Sequence, residues 1–510
     1  MVPRPAKGEC CVNDRICLND LVERCAKSPH LPAYESGGWG LSYGQLLTRA
    51  RVLAAALEQL WPGEGPILLY GHKQPALPVG MLACLLAGRA YVPCDEGWPA
   101  ARVETVFRQA GAAALLFADE APAPWPEELP TAPLWPMCEP GIIEPLAAPR
   151  PCDPEQIAYI LFSSGSTGQP KGIPVPRRAL ANFARWITAR PALTLAPGET
   201  VVGQAGFSFD LSLADLTLAF CGQGRLVSLT HEELADPALL FRQLSASGAA
   251  VLVCTPTFLE LCLCDKSFSP ALMPKLRAVF CCGEVLPRPA AEKFLSRFPG
   301  AALLNAYGPT EAACAVCAVN AADALAAFAD GPLPVGLVEQ AAVEIAALGP
   351  KGELLAEGEP GELALRGESV FSGYLPGSGD ARFSGGWYRT GDSGFVRGGH
   401  VWCTGRLDDQ LKYCGWRIEP GEVEAALHAL PGVERAAVLP QRSPDGRVRR
   451  LCAFLQAAQS ARLPEEEVRR LLAQRLPAYM LPGRLFWLDE LPVTENGKCD
   501  RAQLTREFLL

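Results

Sequence analysis

The sequence has no excess of positive charge: 46 Lys and Arg stand against 55 Asp and Glu over 510 residues, a net charge of −9. That balance speaks against nucleic acid as the main partner, because proteins that bind a polyanion carry a basic excess or stripe. A small anion can still be held locally. Nor is there an apolar run near the roughly 18 residues that a membrane span needs. The longest, around "MLACLLAG", is far shorter, so no stable membrane insertion is expected. The opening residues "MVPRPAKGECCVND" lack the apolar centre of a signal peptide, and a cytoplasmic location is expected. Twenty cysteines then read as small reduced apolar side chains rather than a disulfide framework. A single C-x-x-C, Cys314 to Cys317, has no second pair, and the five histidines (His30, His72, His231, His400, His428) are scattered, so no zinc-binding pattern is legible. No internal repeat is present.

What the chain does have is length and alternation. At 510 residues it exceeds what one hydrophobic core supports, so several domains are expected. Between residues 40 and 330 short apolar runs alternate with helix-like segments: "GPILLYG", "ALPVGMLACLLAG" and "AYVPC" read as strand, helix, strand, and "ARVETVFRQAG" with "AALLFA" repeats the theme. Such alternation predicts an α/β fold with parallel sheets covered by helices. From about 332 to 404, "VEIAAL", "GELALRG" and "HVWCTG" alternate in period two between glycine-rich turns, which predicts a small antiparallel sheet or distorted barrel. A compact α+β unit of about 100 residues follows, with amphipathic helices in "EVEAALHAL" and "EEEVRRLLAQRL" and strands in "RAAVLP" and "LCAFLQ". The expected domains are 1–407 and 408–510. Proline-rich stretches around residues 121–136 and 149–154 read as connectors.

The stretch "LFSSGSTGQPKG", residues 161–172, carries the first chemistry. Its glycines let backbone N–H groups converge on an anion, Ser163, Ser164, Ser166 and Thr167 add hydroxyls, and Lys171 adds a charge. It is not a Walker A loop, because Lys171 is followed by Gly172 and Ile173 rather than by Ser or Thr. On composition alone it is equally a flexible surface turn. Six further boxes follow one order along the chain: "ACLLAGRAYVPCD" (83–95), "NAYGPTEA" (305–312), "GELALRG" (361–367, a structural turn), "YRTGD" (388–392), "GRLDDQLKYCGWRIEPGEVE" (405–424) and "NGKCDR" (496–501). Together these resemble the adenylate-forming superfamily of acyl-CoA synthetases, luciferases and amino-acid adenylation domains.

That resemblance implies a large N-terminal domain of two helix-covered sheets plus a barrel, and a small C-terminal domain turning on a hinge at Asp408. It implies that Ser163, Ser164, Gly165, Ser166, Thr167, Gly168 and Lys171 form a phosphate loop for ATP. Asn305, Ala306, Tyr307, Gly308, Pro309 and Thr310 would wall the nucleotide, with Tyr307 on adenine. Asp392 and Arg406 would contact the ribose. Glu311 would hold Mg²⁺, a hard oxygen donor for a hard ion. Lys498 would be the catalytic lysine, touching the substrate carboxylate and the α-phosphate, since carboxylate attack on a phosphate needs cations around the developing charge. Outside that ordered set, each of these residues reads equally as turn chemistry or a solvated side chain.

Asp210 in "FSFDLSLAD" separates the branches. A carboxylate in an apolar pocket needs a cation, which in amino-acid-activating relatives is the substrate ammonium; Asp210 could instead cap the following helix. Phe209 resembles the aromatic gate. "FSFDLSLADL", "CTPTFLELCL", "FCCGEVLP" and "NAYGPTEAACAV" resemble the D-alanine:D-alanyl carrier protein ligase family, where the cysteine before "GE", here Cys282, lines the substrate methyl pocket. Leu211, Ala214, Val253, Phe280, Ala306, Cys314 and Ala315 would complete that pocket. Ala214 and Val253 are smaller or less polar than the methionine and threonine usual there, so a larger small amino acid (2-aminobutyrate, serine, proline) or L-alanine, in nonribosomal peptide or specialised-metabolite synthesis, stays open beside D-alanine. No "GG[HD]S" phosphopantetheine attachment motif is present, and the expected acceptor is the phosphopantetheine thiol of a separate carrier protein. Acyl-CoA ligation and noncatalytic adenylate binding remain the alternatives, the first opposed by Asp210 and the second by the joint presence of Lys171, Glu311, Asp392, Arg406 and Lys498.

Overall fold

A computed structural model describes residues 10–165, 168–375, 382–413, 415–443, 446–457, 462–494 and 499–509, with the backbone alone for residues 10–17. Ser166, Thr167 and Lys498, all expected at the site, lie outside the described residues. Among the described residues no helix is long and apolar enough to cross a membrane.

Two sheets form the larger N-terminal part. One has six strands in the order Thr131–Pro133, Ala114–Phe117, Ile67–Tyr70, Tyr91–Cys94, Ile157–Ser163, Lys171–Pro176. It is parallel except for its last pair. The other has eight, in the order Cys317–Asn320, Ala302–Tyr307, Ala278–Cys281, Ala249–Cys254, Thr200–Gly203, Arg225–Ser228, Pro32–Ser36, Trp39–Ser42, and is antiparallel only at its two edges. The central strands are buried along their whole length, as in "ILLY", "YVPC" and "AAVLVC". Helices on both faces demand that, which is why these strands read as unbroken apolar runs. The proline-rich stretch around 121–136 is more than a connector: it supplies the edge strand Thr131–Pro133 and the short helix Leu134–Met137. Prolines are tolerated there because an edge strand need not donate on both sides.

A six-stranded antiparallel sheet follows, in the order Gly336–Leu337, His400–Arg406, Trp387–Arg397, Gly361–Arg366, Glu344–Leu348, with Phe383–Ser384 beside Trp387–Arg397. "GELALRG" is thus a strand rather than a turn, closed by Gly367 at φ +148°. The smaller C-terminal part has its own three-stranded sheet, Val433–Arg442, Val448–Ala457, Arg484–Leu488, with helices Pro420–His428, Glu465–Ala473 and Arg501–Phe508. Leu411, Ile418, Val423, Leu427, Val438, Leu451 and Leu472 are among its core. A hairpin, Leu411–Tyr413 with Trp416–Ile418, leads into it.

Candidate active site

The ends of the strands and the incoming hairpin bring most of the described candidate residues to one place. Ser163 closes the strand Ile157–Ser163 and Lys171 opens the next, its antiparallel partner, so the phosphate loop connects the two strands of a β-hairpin. Gly168 donates to the Gly165 carbonyl at 3.1 Å, and a Cβ on Gly165 would overlap the Gln169 carbonyl. The Lys171 ammonium lies 3.0 Å from the ring centroid of Tyr374.

Across from it, Asn305, Ala306 and Tyr307 end the strand Ala302–Tyr307. The Tyr307 hydroxyl donates to Asp392 Oδ2 at 2.7 Å, and Arg406 Nη1 holds Asp392 Oδ1 at 2.9 Å. Strand register makes Asp392 and Arg406 direct neighbours, so the two ribose candidates are a cross-strand pair. Arg406 also holds Asp408, with Nε 2.9 Å from Oδ1. Asn305 donates to the Pro334 carbonyl at 2.8 Å, and its Oδ1 is buried without a partner.

The loop after Tyr307 carries strain. Ala313 and Cys314 both have left-handed backbones, φ 58° and 75°, which side chains other than glycine rarely adopt. Gly308 lies so close to Ala315 Cα and the Cys314 carbonyl that a Cβ would not fit. This packing projects Glu311 into a fully buried position. Arg417 Nη1 reaches both of its oxygens, at 2.8 and 2.9 Å, and the Tyr374 hydroxyl donates to Oε1 at 2.5 Å. Burial alone would raise the Glu311 pKa; the Arg417 charge and the Tyr374 hydroxyl outweigh it and hold it down to about 2.

Asp210 sits in a turn ahead of the helix Ser212–Gly222, whose N-cap is Leu211 without a side-chain cap bond. Capping is therefore not its role. Thr310 Oγ1 donates to Asp210 Oδ2 at 2.5 Å, which ties the nucleotide wall to the acyl side. Burial pushes the Asp210 carboxyl above its ordinary value against the pull of Thr310, and the nearby cations Lys412 and Arg417 do not cancel it. Leu211, Ala214, Val253, Phe280, Cys282, Ala306, Cys314 and Ala315 share one buried apolar cluster. Cys282 Sγ lies 3.9 Å from the Cys314 carbonyl. Phe209 meets Trp416 with ring centroids 5.9 Å apart.

Several residues at the site were not singled out from sequence: Arg417, Glu422, Glu284 and Tyr374. Ser164 Oγ donates to the Arg417 carbonyl at 2.8 Å and accepts from the Glu419 N–H at 2.7 Å. Gly165 N–H donates to Glu422 Oε2 at 3.0 Å, while the other Glu422 oxygen holds the buried Arg102. Gly415 N–H donates to Glu284 Oε1 at 2.8 Å. The sequence signs of these contacts were the length of the box at 405–424, which holds Arg417 and Glu422, and the "GE" of "FCCGEVLP", which holds Glu284. In this arrangement the C-terminal part places a cation on Glu311 and an anion on the phosphate loop. Near the C-terminus Val493 pairs with Cys499, and Arg501 binds the Val438 carbonyl and Glu424. Glu422 and Glu424 lie two positions apart on one helix, about 200° around its axis. Arg501 is thereby anchored on the helix face opposite the one that touches the phosphate loop.

This site matches known proteins along nearly its whole length. The model of AMP-binding enzymes matches residues 21–375, and that of the AMP-binding enzyme C-terminal domain matches 422–498. The D-alanine–D-alanyl carrier protein ligase of Bacillus licheniformis is 35% identical over 509 residues, covering 96% of this chain and 99% of that protein. The ligase of the same name from Listeria monocytogenes is 34% identical, covering 96% and 99%. Among solved structures, holo-PA1221, a nonribosomal peptide synthetase protein containing adenylation and PCP domains, superposes with a TM-score of 0.80 at 26% identity, over 96% of this chain and 84% of that one. With most of the described candidate residues gathered at one site and both family models matched, the chain belongs to the AMP-binding enzymes and is an ATP-dependent, adenylate-forming ligase.

Proposed function

We propose that the chain activates a small amino acid, D-alanine first, and passes it to the phosphopantetheine thiol of a separate carrier protein. The observation that carries this reading is Asp210, a partly exposed carboxylate beside the buried apolar cluster, whose hydrogen-bond donor among the described residues is the neutral Thr310 hydroxyl. Burial raises its carboxyl pKa even with Lys412 and Arg417 nearby, and a substrate α-ammonium in contact with it would offset that cost. The names of the Bacillus and Listeria relatives support both the amino acid and the carrier. Leu211, Ala214, Val253, Phe280, Cys282, Cys314 and Ala315 would enclose the side chain. Small residues at Ala214 and Val253 favour one second reading, a slightly larger amino acid in the same pocket, since one methylene there is worth about 1–3 kcal/mol.

In the first half-reaction a substrate carboxylate oxygen bonds to the α-phosphorus of ATP and the bond to pyrophosphate breaks. In the second, the carrier thiol attacks the acyl carbonyl and AMP leaves. The phosphate loop and Lys171 would hold the β- and γ-phosphates, Tyr307 the adenine, and Asp392 with Arg406 the ribose. Glu311 fits a Mg²⁺ ion by its hard, buried carboxylate once Arg417 has moved off; the ion would supply neutralisation of the phosphates. Arg417 on Glu311 and Glu422 on Gly165 N–H stand where metal and phosphate charges would lie. We read this arrangement as the one for thioester formation, after pyrophosphate has left, with rotation about Asp408 exchanging it for one that presents Lys498.

Amino-acid-dependent ATP–pyrophosphate exchange across D- and L-alanine, glycine, serine, 2-aminobutyrate and proline tests the reading; no exchange with any of them would sink it. Asp210→Asn is expected to lower kcat/KM for the amino acid by about 3 kcal/mol, roughly a hundredfold, with little change in the KM for ATP. Because the Asp210 carboxyl is raised, it takes up a proton at a higher pH than an ordinary aspartate does, so the amino-acid KM of the wild type should climb on the acid side first. Cys282→Ala is expected to lower the D-over-L alanine preference about tenfold. An unchanged ratio would count against the D-alanine assignment.

A further inference from the structure

Two of the five histidines, 159 positions apart, converge on one carboxylate outside the site just described. His72 lies two residues past the strand Ile67–Tyr70, and Asp95 directly follows Tyr91–Cys94, both in the six-stranded sheet. His231 lies three residues past Arg225–Ser228 in the eight-stranded sheet. His72 Nδ1 is 2.8 Å from Asp95 Oδ2, and His231 Nε2 is 3.2 Å from Asp95 Oδ1. The two imidazoles stack, with centroids 3.4 Å apart and planes at 16°. One nitrogen of each ring faces a different oxygen of Asp95, and one donor atom from each of the three residues falls within 4.8 Å of the others. Because a metal lies in the plane of an imidazole ligand, the half-exposed His231 ring has to turn out of the stack to share an ion with His72.

That spacing is what a small ion asks for. A tetrahedral zinc with bonds near 2.0–2.1 Å holds its ligand atoms about 3.3 Å apart, and two imidazoles with one carboxylate form a donor set suited to it. Backbone contacts fix the carboxylate and the His72 main chain, while His72 Nε2 is buried without a hydrogen-bond partner among the described residues. Gly97 N–H donates to Asp95 Oδ1 at 2.9 Å, and His72 N–H donates to Gln74 Oε1 at 2.7 Å. The His72 and Asp95 side chains are 5% and 7% exposed, whereas His231 is 53% exposed, so an ion can enter from the His231 side and keep a position open to water. The adjacent Lys73 does not leave an uncompensated positive charge: it and Asp215 are both buried against Gly203.

We propose that His72, Asp95 and His231 form a zinc site with three protein ligands that ties the two sheets together. Its place gives it a consequence for the pocket. An added Cβ on Gly206 would lie 3.5 Å from both Asp95 Oδ2 and His72 Cε1, and Gly206 opens the turn that Phe209 N–H closes at 3.0 Å, one residue before Asp210. An ion there would stiffen the base of the loop carrying Phe209 and Asp210.

The test uses the full-length protein, stripped with a chelator and titrated with Zn²⁺ against a chromophoric competitor under reducing conditions. One equivalent is expected to bind in the wild type. His231→Ala, a half-exposed position whose loss leaves the core untouched, should weaken that binding at least tenfold, and Asp95→Asn should do so independently. Loading with Co²⁺ should produce visible d–d bands without the near-ultraviolet thiolate band, which separates this site from the accessible cysteines Cys152 and Cys264. Absence of a stoichiometric wild-type site, equal affinity in His231→Ala, or a thiolate band from the bound cobalt would each overturn the proposal.

Discussion

Lys498→Ala should reduce adenylate formation by about 10²–10³-fold and leave transfer from a preformed aminoacyl adenylate to the carrier thiol within about threefold. The argument is electrostatic. A carboxylate approaching a triphosphate meets like charge, and one ammonium placed between the reacting carboxylate and the α-phosphate is worth what a preorganised donor is worth in other acyl and phosphoryl transfers. The transfer half has less need of it, because the β- and γ-phosphate charge has departed with pyrophosphate and the attacking group is a thiol rather than a carboxylate. In the arrangement described, Arg501 binds Glu424 on the helix face turned away from the phosphate loop. Pyrophosphate exchange and single-turnover loading from synthetic adenylate separate the two halves. Equal loss in both would refute the division of labour.

Arg417→Ala should show the opposite split. In this arrangement the Arg417 guanidinium covers both oxygens of a fully buried Glu311, and removing one partner of a buried pair costs about 3–5 kcal/mol. That cost falls on the arrangement that has Arg417 on Glu311, not on the one in which Glu311 faces metal and phosphate. Loading from preformed adenylate is expected to fall by about two orders of magnitude, with pyrophosphate exchange nearly unchanged. Arg417→Lys should recover only part of the loss, since the shorter lysine side chain restores the charge without reaching as far as the guanidinium Nη1 that touches both oxygens. The pH dependence follows from the same pair. Glu311 is held down to about 2 from an ordinary 4.5, so its contribution to this arrangement is complete above the ordinary value and is lost as pH falls from there toward 2. Loading at neutral pH should be insensitive to it. A variant that loses both halves equally would show that Arg417 supports the fold and not one orientation.

Much of the architecture was legible because its causes are local. Strands such as "ILLY" and "AVFC" read as continuous apolar runs since helices cover both faces of the sheet, and the amphipathic helices of the C-terminal part follow from period alone. Thr131–Pro133 was missed because proline content marks a connector until a sheet edge is present to receive it. The candidate nucleotide residues were legible only through the order of their boxes. Glu311 by itself is a glutamate at a helix start, and nothing in "GPTE" foretells that Arg417 covers it.

The sequence by itself determined the chemistry-bearing stretches, their order and their kinship, because short motifs carry their residue types with them. Only the tertiary structure decided which charges meet. Glu311 with Arg417, Gly165 with Glu422, and His72 with His231 at Asp95 are separated by 106, 257 and 159 positions, the last on strands from two different sheets. Electrostatic pairing depends on distance in space and on exclusion of water, and neither is written in the local pattern. The scattered histidines are the clearest case: nothing in their spacing along the chain foretells that His72 and His231 meet at Asp95, just past the ends of strands from two sheets.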